Sequence, residues 1–491
     1  MDFSQALKQE SRKTFTENGA TAYSTTGDAL LDLFGSIGAL RGQDIFRIER
    51  LFTEAYNQCP LMTMKCVFYA RDIRGGLGER ATARILFHYA AKHYPEAMRD
   101  NIPLIGLYGR YDDLYVLQGT QLEDEMWAYM KKQLAEDEAA MAAGKACSLL
   151  AKWLKTPDAS SKNTRQLGIL TAKKLGLSVY VFKRKLRALR KYIGIVERMM
   201  SAKQWKEIKY ANVPSRAMFL YRKAFEKNDG DRYRQFISAV EKGEQKIHAA
   251  TLFPYDILEK YGANNGFRIC ANHEDPVLEA QWKALPDFTG NGASALVIAD
   301  TSGSMWGRPL ATSVGLAVYF AERNKGPFNG LWMSFSADSK VQRLKGATLA
   351  QKLSSIDQQH WGMNTNLEKA FSQILDIALR NGVKPEDMVK SLIVISDMQI
   401  DHTVGSWSFH DEMAKRYRDC GYELPNVVYW NVESRSDVFH ADKSRKGVQL
   451  CSGQSPSVFK ELMSAVGMTP SEMMFKVLTA DRYAPVTIAK A

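Results

Sequence analysis

Nothing in this 491-residue chain is apolar for long enough to cross a bilayer: the longest runs, SLIVIS and ALVIA, fall far short of the ~18–20 residues a membrane helix needs. The opening MDFSQALKQESRKTF has no apolar core of the kind a secretory signal carries. Six cysteines (Cys59, Cys66, Cys147, Cys270, Cys420, Cys451) are scattered without CxxC or Cys/His spacing, which argues against a disulfide framework and a structural zinc site. No glycine-rich stretch ends in GK[ST], so a nucleotide phosphate loop is missing too. These absences leave a cytoplasmic protein with reduced thiols and no membrane partner. Acidic residues are scarce in one region only. Residues 151–250 hold 24 lysines and arginines against 8 acids, a local excess of +16, which leaves −4 for the rest of a +12 chain. A basic block on an otherwise slightly acidic protein points to an anionic partner, RNA or DNA first, although a solvated helical surface gives the same count.

Residues 28–258 read as helix after helix. Segments such as QDIFRIERLFTEAYNQ, ERATARILFHYAAKHY and VYVFKRKLRALRKYIGIVERMM place apolar residues three and four apart, with short Gly-, Pro- or Asp-bearing connections. Strict repeats are not visible, yet a series of amphipathic helices with short turns resembles an α-solenoid of HEAT-like pairs; a single irregular helical domain is the alternative. Residues 1–27 precede this series as an arm, and 259–292, rich in Gly, Asn, Asp and Pro, read as an irregular linker. From 293 to 491 the pattern changes. Apolar runs at 295–299, 331–336, 391–396, 426–432 and 447–452 alternate with helical segments, which predicts a mostly parallel sheet in a doubly wound α/β domain. Thr469-Pro470-Ser471-Glu472 predicts a capping box at the start of a last helix.

Ligands of open parallel sheets bind at the C-terminal ends of strands. Here ALVIA is followed by Asp300-Thr301-Ser302-Gly303-Ser304, SLIVIS by Asp397, and Thr365 precedes a helix. Asp300, Ser302, Ser304, Thr365 and Asp397 are all hard oxygen donors, the set that Mg²⁺ or another divalent cation favours over zinc. Each piece alone also reads as a turn or a helix cap. Together, in this order and spacing, they resemble the metal-ion-dependent adhesion site of the von Willebrand factor type A domain. That resemblance implies Mg²⁺ held by the two serines and the threonine, aspartates acting directly or through water, and a partner's carboxylate completing the coordination. An A domain after a long helical array is similar to the Ro (TROVE-module) RNA-binding proteins, in which a HEAT-like ring binds small non-coding RNAs and the single-stranded ends of misfolded RNAs. Segments such as FYARDIRGGLGER, GRYDDL and LPNVVYWNV resemble a Ro-like branch found in phages, bacteria and eukaryotes.

In VYVFKRKLRALRKYIGIVERMM, Phe182, Leu186, Leu189, Ile193 and Val196 form one stripe, and Lys183, Arg184, Arg187, Arg190 and Lys191 fall on the other side. Lys173, Lys174, Lys203, Lys206 and Arg216 lie nearby, interleaved with tyrosines and Trp205, so single-stranded RNA is a natural ligand; read individually, the aromatics are core residues. Arg71, Arg74 and Arg80, around an Arg-Gly-Gly turn, are candidates to line the inside of a ring. The expectation is a non-catalytic Ro-like RNA-binding protein with a Mg²⁺-binding A domain. The alternative is a protein-interaction scaffold in which the metal site grips an acidic residue of a partner.

Overall fold

The computed structural model describes residues 7, 10–261, 271, 273–290, 294–335, 339–356, 366–401 and 409–488. A helical first half leads into a six-stranded mixed sheet. Among the described residues no helix is long and apolar enough to cross a membrane.

Local chemistry sets the helix limits. Asp28 caps Ala29–Ser36 by accepting from the amides of Leu30 and Leu31, Asp44 caps Ile45–Gln58, and Ser178 caps Val179–Tyr192. The basic segment expected as one helix is two, Val179–Tyr192 and Val196–Ser201. Gly194, at φ +66°, takes the left-handed turn that ends the first. Ser215–Glu241 is likewise interrupted, at Asp229 (φ −151°).

After β1 (Lys13–Phe15) and β2 (Thr21–Tyr23) near the start of the chain, the second half holds β3 (Ala295–Asp300), β4 (Leu331–Phe335), β5 (Lys340–Arg343), β6 (Ser391–Ser396), β7 (Asn426–Asn431) and β8 (Val448–Ser452). They lie side by side in the order β5-β4-β3-β6-β7-β8. All neighbours are parallel except β4 and β5. Every residue of β3, β6 and β8 is buried, as expected of strands covered on both faces. β5, KVQR, alternates between half-buried and exposed, the pattern of an edge strand, and its polar sequence concealed it from the periodicity reading. The order reverses between β3 and β6, so their C-terminal ends form the crevice of the sheet.

The helical run begins and ends on this sheet domain. At its start, Phe34 and Gly38 lie on the end of β8: the Ser452 hydroxyl donates to the Phe34 carbonyl at 3.3 Å and accepts from the Gly38 amide at 3.0 Å. Asp72, fully buried, accepts from Arg482 and from the Tyr483 hydroxyl, which follow the C-terminal helix Pro470–Leu478. At its end, Pro254–Tyr261 packs across Arg308–Arg323, where a Cβ on Gly315 would lie 3.3 Å from Pro254. Nearby, buried Glu279 accepts from the amides of Leu349 and Ala350 at 2.7 and 2.9 Å, and Trp282 donates to Glu322 at 2.9 Å. Between these two docks the core divides. One cluster runs from the first helices into the sheet, and a smaller one joins residues 196–247 to Val277 and Ala280.

Three elements fall at or across the expected boundaries. Within the segment read as an N-terminal arm, β1 and β2 form a hairpin whose Tyr23 pairs with Phe439 of the sheet domain. Pro254–Tyr261 crosses the limit placed at 258, and Pro276–Lys283 is a helix inside the segment expected to be irregular. Both helices were too short for periodicity to carry. A Cβ on Gly38 would lie 2.7 Å from the Ser452 carbonyl and the Gly453 Cα, whereas one on Gly35 meets nothing nearer than 3.6 Å. Gly38→Ala is therefore expected to cost about 1–3 kcal/mol in urea unfolding by forcing two backbones apart, and Gly35→Ala to be neutral or slightly stabilising.

Candidate metal centre and basic surface

Asp300 ends β3 and Asp397 follows β6, so the reversal of strand order brings the two carboxyl groups into one crevice. Asp300 Oδ1 accepts from the Ser302 amide at 2.9 Å and Oδ2 from the Ser396 hydroxyl at 2.6 Å. The hydroxyls of Ser302 and Ser304 lie 3.1 Å apart. Asp397 Oδ1 accepts from the Gln399 amide at 3.2 Å, while its Oδ2 is buried without a hydrogen-bond partner. Burial, and next the facing charge of Asp397, hold the Asp300 carboxyl above the usual carboxylate range. A cation between the two would relieve the repulsion and take up the unsatisfied oxygen. Among the described residues no group of three or more His, Cys, Asp or Glu could hold a metal ion; the oxygens gathered in this crevice are two carboxylates and the hydroxyls of Ser302 and Ser304, donor types that suit Mg²⁺. Thr365 lies outside the described residues.

The loop carrying Asp397 is held by the N-terminal hairpin. Met398 adopts φ +66°, a conformation that costs a non-glycine residue of order 1–3 kcal/mol unless its surroundings impose it. His440 Nε2 donates to its carbonyl at 3.1 Å. The hairpin supplies the rest: the Thr16 hydroxyl donates to the Ile400 carbonyl at 2.7 Å, the Asn18 amide to the Gln399 carbonyl at 2.7 Å, and the Glu17 backbone to Gln399 Oε1 at 2.8 Å. Two rim residues escaped the sequence reading. Arg435 donates to the Ser304 carbonyl at 2.5 Å and stands 3.8 Å from Asp397 Oδ2, and Trp306 is 60% exposed just beyond Ser304. The signal for Arg435 was its place after β7, the strand paired to β6.

Residues 16–115 and 137–288 match the family described as "Domain of unknown function (DUF2828)", about half of the chain. The chain belongs to the DUF2828 family. Residues 294–484 match a second model, "Domain of unknown function (DUF7788)". An uncharacterized protein of Acanthamoeba polyphaga mimivirus is 26% identical over 517 aligned positions, covering 97% of this chain and 89% of its own. No solved structure matches.

In this DUF2828 chain the basic candidates separate into three groups. Arg184, Arg187 and Lys191 are exposed on one stripe of Val179–Tyr192, with Tyr180 at its head 74% exposed; Lys203 and Lys206 are exposed beyond it. Lys173 is exposed, whereas Lys174, Lys183 and Arg216 are partnered by Asp124, Asp158 and Asp256 at 3.5, 3.2 and 2.6 Å. Arg190 is not a surface cation. Its guanidinium donates to the carbonyls of Ala151 and Leu154 at 2.8 and 2.9 Å, fastening the basic helix to the segment beneath. Arg71 does not line a surface either: it is 1% exposed and pairs with buried Asp113 at 2.8 Å. A Cβ on Gly109 would lie 2.7 Å from that carboxylate, so the pair requires the glycine of GRYDDL. Arg74 is exposed and Arg80 half-exposed.

Two outcomes follow. If the crevice binds Mg²⁺, the ion at about 100 times its dissociation constant is expected to stabilise the fold by about 2.7 kcal/mol, read as a higher unfolding temperature than in EDTA, and Asp397→Asn to remove the difference; equal temperatures for the wild-type chain would contradict a metal site. Arg71→Met costs about 3 kcal/mol in urea unfolding, because Asp113 loses a buried partner, while Arg74→Ala stays within about 0.5 kcal/mol.

Proposed function

We propose that this protein is a non-catalytic, Ro-like RNA-binding protein that grips small non-coding or single-stranded-ended RNA through its basic helices and carries a von Willebrand A-type domain with Mg²⁺. The observation that carries the reading is the exposed stripe Tyr180, Arg184, Arg187 and Lys191. Residues at spacings of four, three and four lie one above another on a helix, so the cations track successive phosphates while the tyrosine offers a face to an unpaired base. No ion pair occupies these three cations among the described residues, unlike Lys183 and Lys174. A helical run that begins and ends on one sheet domain supports a closed solenoid. The crevice where Asp300, Ser302, Ser304 and Asp397 meet at the reversal of strand order supports the A-domain assignment.

One observation favours the scaffold reading. Trp306 and Arg435, residue types that anchor protein interfaces, flank the metal site, where a partner's acidic side chain would reach the cation. The two readings use different surfaces and one comparison separates them. Reversing Arg184, Arg187 and Lys191 to glutamate is expected to lower affinity for a single-stranded RNA and to reduce the salt slope by about 2, at about 0.7 per lost phosphate contact. Asp300→Ala leaves RNA binding unchanged. RNA affinity and salt slope unaltered in the triple variant would sink the RNA reading. Arg190 is left intact in this test because its substitution would loosen the helix itself.

A further inference from the structure

GRYDDL and the Arg-Gly-Gly turn, both conspicuous in the sequence, meet within the first helical layer. Asp112 and Asp113 lie in the turn Tyr111–Leu117, with side chains 2% and 0% exposed. Five cations surround them. Arg71 is buried and satisfied by Asp113. The other four, Arg80, Arg84, Arg110 and Lys155, converge on a single atom, Asp112 Oδ2, at 3.1, 3.2, 2.7 and 3.5 Å. One carboxylate oxygen has room for about two hydrogen bonds, so the donors outnumber the acceptor sites. Arg80 Nε is buried with no hydrogen-bond partner.

Bracing the turn does not require this many charges. Arg84 alone donates to the Asp112 carbonyl at 2.9 Å and to Asp113 at 2.5 Å, and Arg71 holds the other side. Arg80 and Lys155 add positive charge that the two carboxylates cannot neutralise, leaving an excess of three over the five cations. The four outer side chains are 40%, 29%, 27% and 30% exposed, so the excess faces outward. The Arg110 guanidinium gives Nε and Nη2 to Asp112 at 2.8 and 2.7 Å and lies 3.7 Å from the Trp153 ring centroid, which fixes its plane and leaves Nη1 to reach an outside acceptor.

We propose that Arg80, Arg84, Arg110 and Lys155 form a binding site for a phosphate group. A phosphate monoester carries about −1.5 to −2 charges and three acceptor oxygens, which suits an excess of three and forked donors arriving from several directions. A carboxylate offers less charge and one plane. The phosphate has two possible sources, the terminal phosphate of an RNA or free phosphate. The first rests on the RNA-binding reading, and the site itself does not. Arg190 ties the basic helix to Ala151 and Leu154, and Lys155 follows directly, so an RNA on the exposed stripe could continue to this cluster.

The test uses the full chain, wild type and the double variant Arg80→Gln/Lys155→Gln, both sites being partly exposed so that folding is retained. Three probes are titrated at fixed ionic strength: inorganic phosphate, and one single-stranded RNA with either a 5′-phosphate or a 5′-hydroxyl. Inorganic phosphate is expected to bind the wild type and to bind the double variant at least about tenfold more weakly, about 1.4 kcal/mol, with unchanged unfolding temperature in phosphate-free buffer. A preference for the 5′-phosphorylated RNA that disappears in the double variant assigns the phosphate to an RNA end; phosphate binding with equal affinity for the two RNAs assigns it to the free ion. The glutamate triple variant of the basic stripe keeps inorganic phosphate binding, so failure of the RNA reading leaves this site standing. Absence of phosphate binding together with no 5′-phosphate preference, or binding equal in wild type and double variant, overturns the proposal.

Discussion

Asp72 is the residue on which the two halves of the molecule converge. It sits at zero exposure where the first helical layer meets the end of the chain, and its carboxylate accepts from Arg482, the Tyr483 hydroxyl and the Arg74 amide. Its carbonyl accepts from the amides of Gly76 and Gly78, which shapes the Arg-Gly-Gly turn. Arg482 also receives the Tyr108 hydroxyl on its own carbonyl. Removing one partner from such a cluster leaves a buried charge uncompensated. The consequence is that residues more than four hundred positions apart fold as one surface, and the sheet domain is the base on which the helical run starts and finishes.

Buried carboxylates recur with different partners, and the partner decides the role. Asp72 and Asp113 are saturated by arginines and hold structure. Asp112 is surrounded by more cations than it can satisfy, so the surplus is available to something outside the chain. Asp300 and Asp397 face each other, with hydroxyls and one unsatisfied oxygen between strand ends, the arrangement on which the proposed cation site rests. The N-terminal hairpin belongs to that last arrangement, since it clamps the loop in which Met398 holds its left-handed conformation beside Asp397.

The strands of the parallel sheet were legible because each is a short run of consecutive apolar residues flanked by turn formers, and Asp300, Ser302, Ser304 and Asp397 were legible because strand ends point at one crevice. β5 was not, because an edge strand such as KVQR needs no apolar residues. The hairpin β1–β2 escaped for a related reason: three-residue strands carry too few alternations to register, and their partner Phe439 lies over four hundred residues away. Of the cations on the basic helix, periodicity separated stripe from surface but could not tell Arg187, which faces outward, from Arg190, which reaches two backbone carbonyls. Arg71 was misplaced on a surface because its partner Asp113 is forty-two residues away in sequence.

The proposed contact with RNA lies on the helical half, the sheet domain supports that half at its start and its end, and the proposed metal crevice sits at the strand ends of the sheet. The most direct measurement is ultraviolet crosslinking of the full chain to bound RNA, followed by mass spectrometric identification of the crosslinked peptides. Binding along the exposed stripe concentrates the crosslinks in peptides containing Tyr180 and residues 184–206. RNA recovered without crosslinks in that region, or no RNA recovered above background, would contradict it.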